Sequence, residues 1–184
     1  MHHVYTTRAF VVNSTPYGEA GKFLLLFTRD FGMIGAVAQG IRLAKSKLRY
    51  HVQDYSFCSV SIVRGKEVWR LVGAHEIPND EKKGILHIKI LKLLKRLLQG
   101  EERNEKLFSI VNALYEINIK KEDYEAVECL IILRILNSLG YISSKEFNSL
   151  FDKDIINDEV ISHTRENKIR IIKVINSALK ESQL

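Results

Sequence analysis

The sequence predicts an α+β protein, a small five-stranded β-barrel at the N-terminus followed by an all-α helical domain. Three observations carry this. Up to about residue 76 the apolar residues fall in short β-rich runs between turn formers, and beyond it they recur at the three- and four-residue spacing of helices. Between the two patterns stands Ile77-Pro78-Asn79-Asp80, where a proline with two turn formers behind it marks a boundary, so domains are expected at 1–78 and 79–184. Charge divides at the same place. Ten Lys and Arg face five Asp and Glu up to Pro78, against eighteen and seventeen after it, so nearly all of the net +6 belongs to the first part. A chain of 184 residues is long enough for one domain or two small ones. At that size roughly 70% of the unfolded surface is buried, enough for a core without disulfide staples.

Strands are expected at about Tyr5–Asn13, Lys22–Thr28, Met33–Ala38, Tyr55–Val63 and Glu67–Ala74. The turns between them are Asn13-Ser14-Thr15-Pro16 with Gly18, then Phe31-Gly32, then Arg64-Gly65-Lys66, the last read as a hairpin in which Gly65 takes φ > 0. Five short strands suit a closed barrel, because closure removes unpaired edges. Phe10, Phe27, Phe57 and Trp69 are assigned to its core.

Among the helices, Lys82–Gln99 carries Leu86, Ile90, Leu94 and Leu97 on one face and ends at Gly100. Asn104 precedes a second helix with Leu107, Ile110, Val111 and Leu114 on its apolar side. Asp123–Leu139 is apolar nearly all round from Cys129 to Leu136, which predicts the central, most buried helix, with Gly140 as its C-cap. Ser143 and Glu146 have capping-box spacing before Phe147 and Leu150. A last helix, about Arg165–Glu181, presents Ile172, Ile175 and Leu179.

Composition excludes several classes. Cys58 and Cys129 are too few for a structural zinc site and read as two buried thiols. The start, MHHVYTTRAF, has no charged region followed by a long apolar run, and no apolar run, Leu130–Leu133 included, approaches a membrane span. A soluble, reducing, cytoplasmic setting is expected, with no membrane partner. There is no G-x-x-x-x-G-K, no G-x-S-x-G, and His75-Glu76 lacks a second histidine at metal spacing, so no enzyme and no cofactor are expected. The acidic run Asp152, Asp154, Asp158, Glu159 lacks the glycine and terminal glutamate of a calcium loop and reads as solvated loop.

The functional signal lies after the third strand. Arg42, Lys45, Lys47 and Arg49 follow Met33–Ala38, and no Asp or Glu occurs between Asp30 and Asp54. Four cations without a nearby acid need water, counterions or an anionic partner, and a phosphate backbone suits them. Arg8, Lys22, Arg29, Arg64 and Lys66 are secondary cationic candidates. Tyr17, Phe31 and Tyr50 lie in expected loops beside basic residues and are candidates to stack on unpaired bases. Arg134 sits inside the most apolar helix. It is expected either to pair with a carboxylate, Glu128 or Glu105, or to line a groove for a partner's acidic tail.

Pro16-Tyr17-Gly18-Glu19-Ala20, Leu26-Phe27-Thr28-Arg29 and Gly32, then Ala38-Gln39-Gly40-Ile41-Arg42 with Lys45-Ser46-Lys47-Leu48, then Val63-Arg64-Gly65 and Trp69-Arg70-Leu71, resemble the bacterial RecO family of recombination mediators. The resemblance covers about Thr7–Glu76. Leu139-Gly140-Tyr141 extends it weakly into the helical half. It implies an OB-type barrel, binding of single- and double-stranded DNA, annealing of complementary strands and help in loading RecA. It also implies RecR and the single-stranded DNA-binding protein as partners and a nucleoid-associated location. The alternatives from composition are a protein-interaction adaptor and an RNA-binding OB-fold protein, since a cationic groove does not distinguish sugars.

Overall fold

The computed structural model describes residues 3–77, 84–143, 145–151 and 156–181. The expected boundary residues Pro78-Asn79-Asp80, Lys82, the Glu146 side chain of the capping pair, and Asp152 and Asp154 lie outside the described residues.

The β-rich part is a closed barrel of β1 (Val4–Tyr17), β2 (Gly21–Thr28), β3 (Gly32–Ala38), β4 (Phe57–Arg64) and β5 (Trp69–Glu76), in the order β1-β2-β3-β5-β4. It is a barrel of the OB type. All pairings are antiparallel except a short parallel contact, Ala36 with Trp69 and Val37 with Arg70, which closes β3 onto β5. One long strand serves two neighbours: Val4–Phe10 pairs with β4, and Ala9–Tyr17 pairs with β2. A register shift between Val11 and Asn13 bends it between these tasks, as a bulge does. This corrects the expected turn at Asn13–Pro16. Those residues are strand, and Pro16 is tolerated because β4 has already left that edge of β1.

Side chains alternate about the barrel wall. Ala9, Val11, Leu24, Leu26, Ile34, Ala36, Cys58, Val60, Ile62, Trp69, Leu71 and Ala74 form the interior. Phe10, Phe27 and Phe57 are also buried but fall on the opposite strand faces, by the two-residue period. Phe10 stacks on Phe57 with ring centroids 4.4 Å apart and on Phe27 at 6.3 Å, so of the four expected core aromatics only Trp69 joins the interior cluster, at the first residue of β5, where its indole N–H reaches Glu101. Gly65 is also corrected. It does not have positive φ; it is needed because a Cβ there would collide with the Val68 carbonyl that accepts from its own N–H.

The helices are α1 (Gly84–Leu97), α2 (Glu105–Glu116), α3 (Tyr124–Ser138), α4 (Asn148–Phe151), α5 (Asp158–Glu166) and α6 (Lys168–Glu181). The chain forms two compact units that do not divide at one point. Leu91–Glu105 groups with the barrel, and the start of α1 groups with the later helices. Within the second unit α3 is the central element, packed by α4, α5 and α6, and it buries Val127, Leu130, Ile131, Leu133, Ile135 and Leu136. Helix α5 corrects the reading of its acidic residues as loop. The Asn157 side chain accepts from the Val160 N–H at 2.9 Å, and Asp158 and Glu159 fill the first turn, where the helix dipole favours negative charge. Among the described residues no helix is long and apolar enough to cross a membrane.

Candidate nucleic-acid interface

The β3–β4 connection is held to the barrel by its apolar residues. Ile41 and Val52 are each 1% exposed and join the interior cluster, with Leu48 packed against it. Burying side chains of this kind is worth about 1.5–3 kcal/mol each. The backbone is tied at both ends. The Arg42 N–H donates to the Ala20 carbonyl at 2.9 Å, and the Tyr55 N–H donates to the Val11 carbonyl at 2.7 Å. Between the anchors the chain runs in tight turns, Leu43 N–H to Gly40 O and Ser46 N–H to Leu43 O, then a single 3₁₀ turn at Leu48–Tyr50.

With the apolar residues turned in, the cations face out. Arg42, Lys45, Lys47 and Arg49 are all exposed. Among the described residues none of the four forms an ion pair. Arg49 lies over the Tyr50 ring, 4.6 Å from its centroid, and donates to the Tyr50 hydroxyl. This sets a guanidinium against an exposed ring, and a base can extend the arrangement by stacking. The Arg42–Ala20 bond brings the loop beside the β1–β2 turn, where Tyr17 is 54% exposed. Lys22 stands at the same end, opposite Ala38 on β3, and donates to Ser14 Oγ at 3.2 Å. Leu43, 45% exposed among these cations, was missed in the sequence. Its signal is an apolar residue inside a basic run.

The remaining candidates gather elsewhere and differ in kind. Arg29 pairs with Glu105 at 3.1 Å, and Arg64 pairs with Glu101. Glu101 also accepts from the Trp69 indole N–H at 3.1 Å. Phe31 is not a free loop ring, because it packs at 4.9 Å from Trp69 and 5.3 Å from Tyr5. The exposed Arg8 adjoins this group through its carbonyl, which accepts from the Arg29 N–H. Lys66 is exposed at the β4–β5 turn.

Arg134 lies in the second unit, buried in α3 at 4% exposure, and its Nε donates to the Leu150 carbonyl at 2.7 Å. The carboxylates expected for it are engaged otherwise: Glu128 accepts from Lys89 at 2.8 Å, and Glu105 pairs with Arg29 and Arg103. The bond to Leu150 ties α3 to α4. Burial, and after it the charge of Glu76, pushes the Cys58 thiol up to about 12, so it stays protonated and inert. No group of three or more His, Cys, Asp or Glu among the described residues is arranged to hold a metal ion.

Residues 1–75 match the family model for the N-terminal domain of recombination protein O. The chain is similar to proteins named DNA repair protein RecO. One from Dehalococcoides mccartyi is 39% identical over 75 residues, covering 41% of this chain and 30% of the relative. One from Caldanaerobacter subterraneus subsp. tengcongensis is 31% identical over 152 residues, covering 74% and 58%. A third, from Desulfitobacterium hafniense, is 28% identical over 144 residues, covering 75% and 52%. The matches span at most about three-fifths of the length of these relatives.

Proposed function

Because this chain belongs to the RecO family, we propose that it is a DNA-binding protein of repair and recombination whose barrel holds the sugar-phosphate backbone through the β3–β4 loop. The observation that carries this reading is the set of exposed cations, Arg42, Lys45, Lys47 and Arg49, on a loop whose apolar residues are sunk in the barrel. Such a loop is already ordered, so binding a phosphate chain costs little further conformational entropy. Backbone contacts position a strand without reading its sequence, which suits a mediator acting on any damaged site. Exposed Tyr17 and Tyr50 add base stacking that is equally indifferent to sequence.

Annealing has a physical rationale on such a surface. Fixed cations screen the repulsion between two strands, and base pairing supplies the rest of the driving force. The reading extends to single- and double-stranded DNA as ligands, to assistance in loading RecA, and to RecR and the single-stranded DNA-binding protein as partners, with no catalytic step of its own. The test is a strand-annealing assay with complementary oligonucleotides, run with and without single-stranded DNA-binding protein. Annealing above the spontaneous rate, retained on strands coated by that protein, is the expected outcome. No acceleration on bare strands would overturn the proposal.

A further inference from the structure

We propose that the barrel face bearing Arg29, Arg64, Phe31 and Trp69 is a second single-stranded DNA site, which the carboxylates of Glu101 and Glu105 hold closed by standing where phosphates would bind. The inference rests on the reading of the chain as a DNA binder. Its materials are those of a single-strand platform. The Arg64 guanidinium lies 4.8 Å from the centroid of the Trp69 ring, and Trp69, Phe31 and Tyr5 form a contiguous trio with centroids 4.9–5.7 Å apart. Cations beside stackable rings are what an unpaired strand uses.

The covering segment supplies the matching anions. Glu101 takes both the Arg64 guanidinium and the Trp69 indole N–H, and Glu105 takes Arg29 and Arg103. The chain lies close over the face as well, since a Cβ at Gly32 would collide with the backbone of Glu102. Arg29, first through its hydrogen bond, and then Arg103 hold the Glu105 carboxyl below its ordinary range, so it is ionised at neutral pH and competes as an anion. A carboxylate and a phosphodiester both present anionic oxygens to a guanidinium fork. The pairs are exchangeable because all four side chains are 40–52% exposed, and exposed ion pairs are weak. The Trp69 ring, only 4% exposed, becomes available when the segment lifts.

The experiment uses the full chain and a labelled oligo-dT, titrated over a range of salt, with emission from Trp69, the one tryptophan of the sequence, followed in parallel. Glu101→Gln with Glu105→Gln should tighten binding, steepen the slope of log K against log[salt] by about 1.4, at roughly 0.7 per added phosphate, and quench Trp69 on binding. Glu105→Gln alone should give about half of that increment in slope. Glu122→Gln with Glu166→Gln makes the same charge change on exposed acids of the second unit and should do neither. Adding Arg29→Ala and Arg64→Ala to the double glutamine variant should abolish the gain, and the lysine pair should restore part of it. Wild-type binding with no gain in the glutamine variants, or an equal gain in the control, overturns this inference alone. No binding by wild type or variant overturns the DNA reading with it.

Discussion

Arg42, Lys45, Lys47 and Arg49 on the β3–β4 loop and Arg29 and Arg64 at the strand ends are all well exposed, yet only the latter two are neutralised by the chain itself. The difference lies in what stands nearby. The loop has no acid within the segment from Phe31 to Gln53, and folding brings no described carboxylate to it. Arg29 and Arg64 acquire Glu105 and Glu101 from 76 and 37 residues away. Exposure alone therefore does not identify a phosphate-binding cation. On the proposed reading, the charge left unpaired after folding marks where phosphates bind first.

The largest effect expected on this contrast is at Gly32. Its φ of +70° and the Glu102 backbone beside it leave no room for a side chain, so Gly32→Ala should cost about 3–4 kcal/mol or displace the acidic segment. Thermal unfolding followed by circular dichroism measures the first outcome, and a red shift of Trp69 emission the second. Next is the anchor of the free cations. Ile41→Ala should cost about 2–4 kcal/mol and loosen the loop without disturbing the Arg64–Glu101 pair, read as a drop in denaturant midpoint with DNA affinity weakened.

The barrel interior can be tested apart from either set of cations. The folded Cys58 thiol keeps its proton to about pH 12, and an unperturbed one releases it at 9.0. Between these values the unfolded state binds fewer protons, so the contribution of this thiol to stability should be flat below pH 9 and fall above it, by up to about 1.4 kcal/mol per pH unit. Cys58→Ala should remove that part of the alkaline loss in denaturant titrations at stepped pH. The smallest effect is Arg64→Ala. It breaks a half-exposed pair and should change stability by less than about 1 kcal/mol and wild-type DNA affinity hardly at all.

What was legible in the sequence follows the range of the interactions involved. The five strands, the central α3 and the outward loop cations depend on local period and local charge, and they stand in the sequence as patterns. The span of β1 was not legible, because Asn13–Pro16 are turn formers that pairing with β2 holds in the strand. The parallel closure of β3 on β5 is a pairing across 33 residues with no local mark. The pairing of Arg29 and Arg64 was hidden for the same reason. The acids Glu101, Glu102 and Glu105 are plain in the sequence, but their target is set by the fold. Helix α5 was missed because its polar first turn reads as loop until Asn157 is seen to cap it.

The central claim is that in the wild type the loop cations, and not the arginines held by Glu101 and Glu105, carry the contacts to the phosphates of DNA. Its most direct test is the salt dependence of single-strand affinity for the wild type and for the variant with Arg42, Lys45, Lys47 and Arg49 all changed to Ala. Four neutralised phosphates give a wild-type slope near −3, at roughly 0.7 each, and the account predicts that the variant flattens it by about 2–3. A variant that remains folded and keeps the wild-type slope would contradict it.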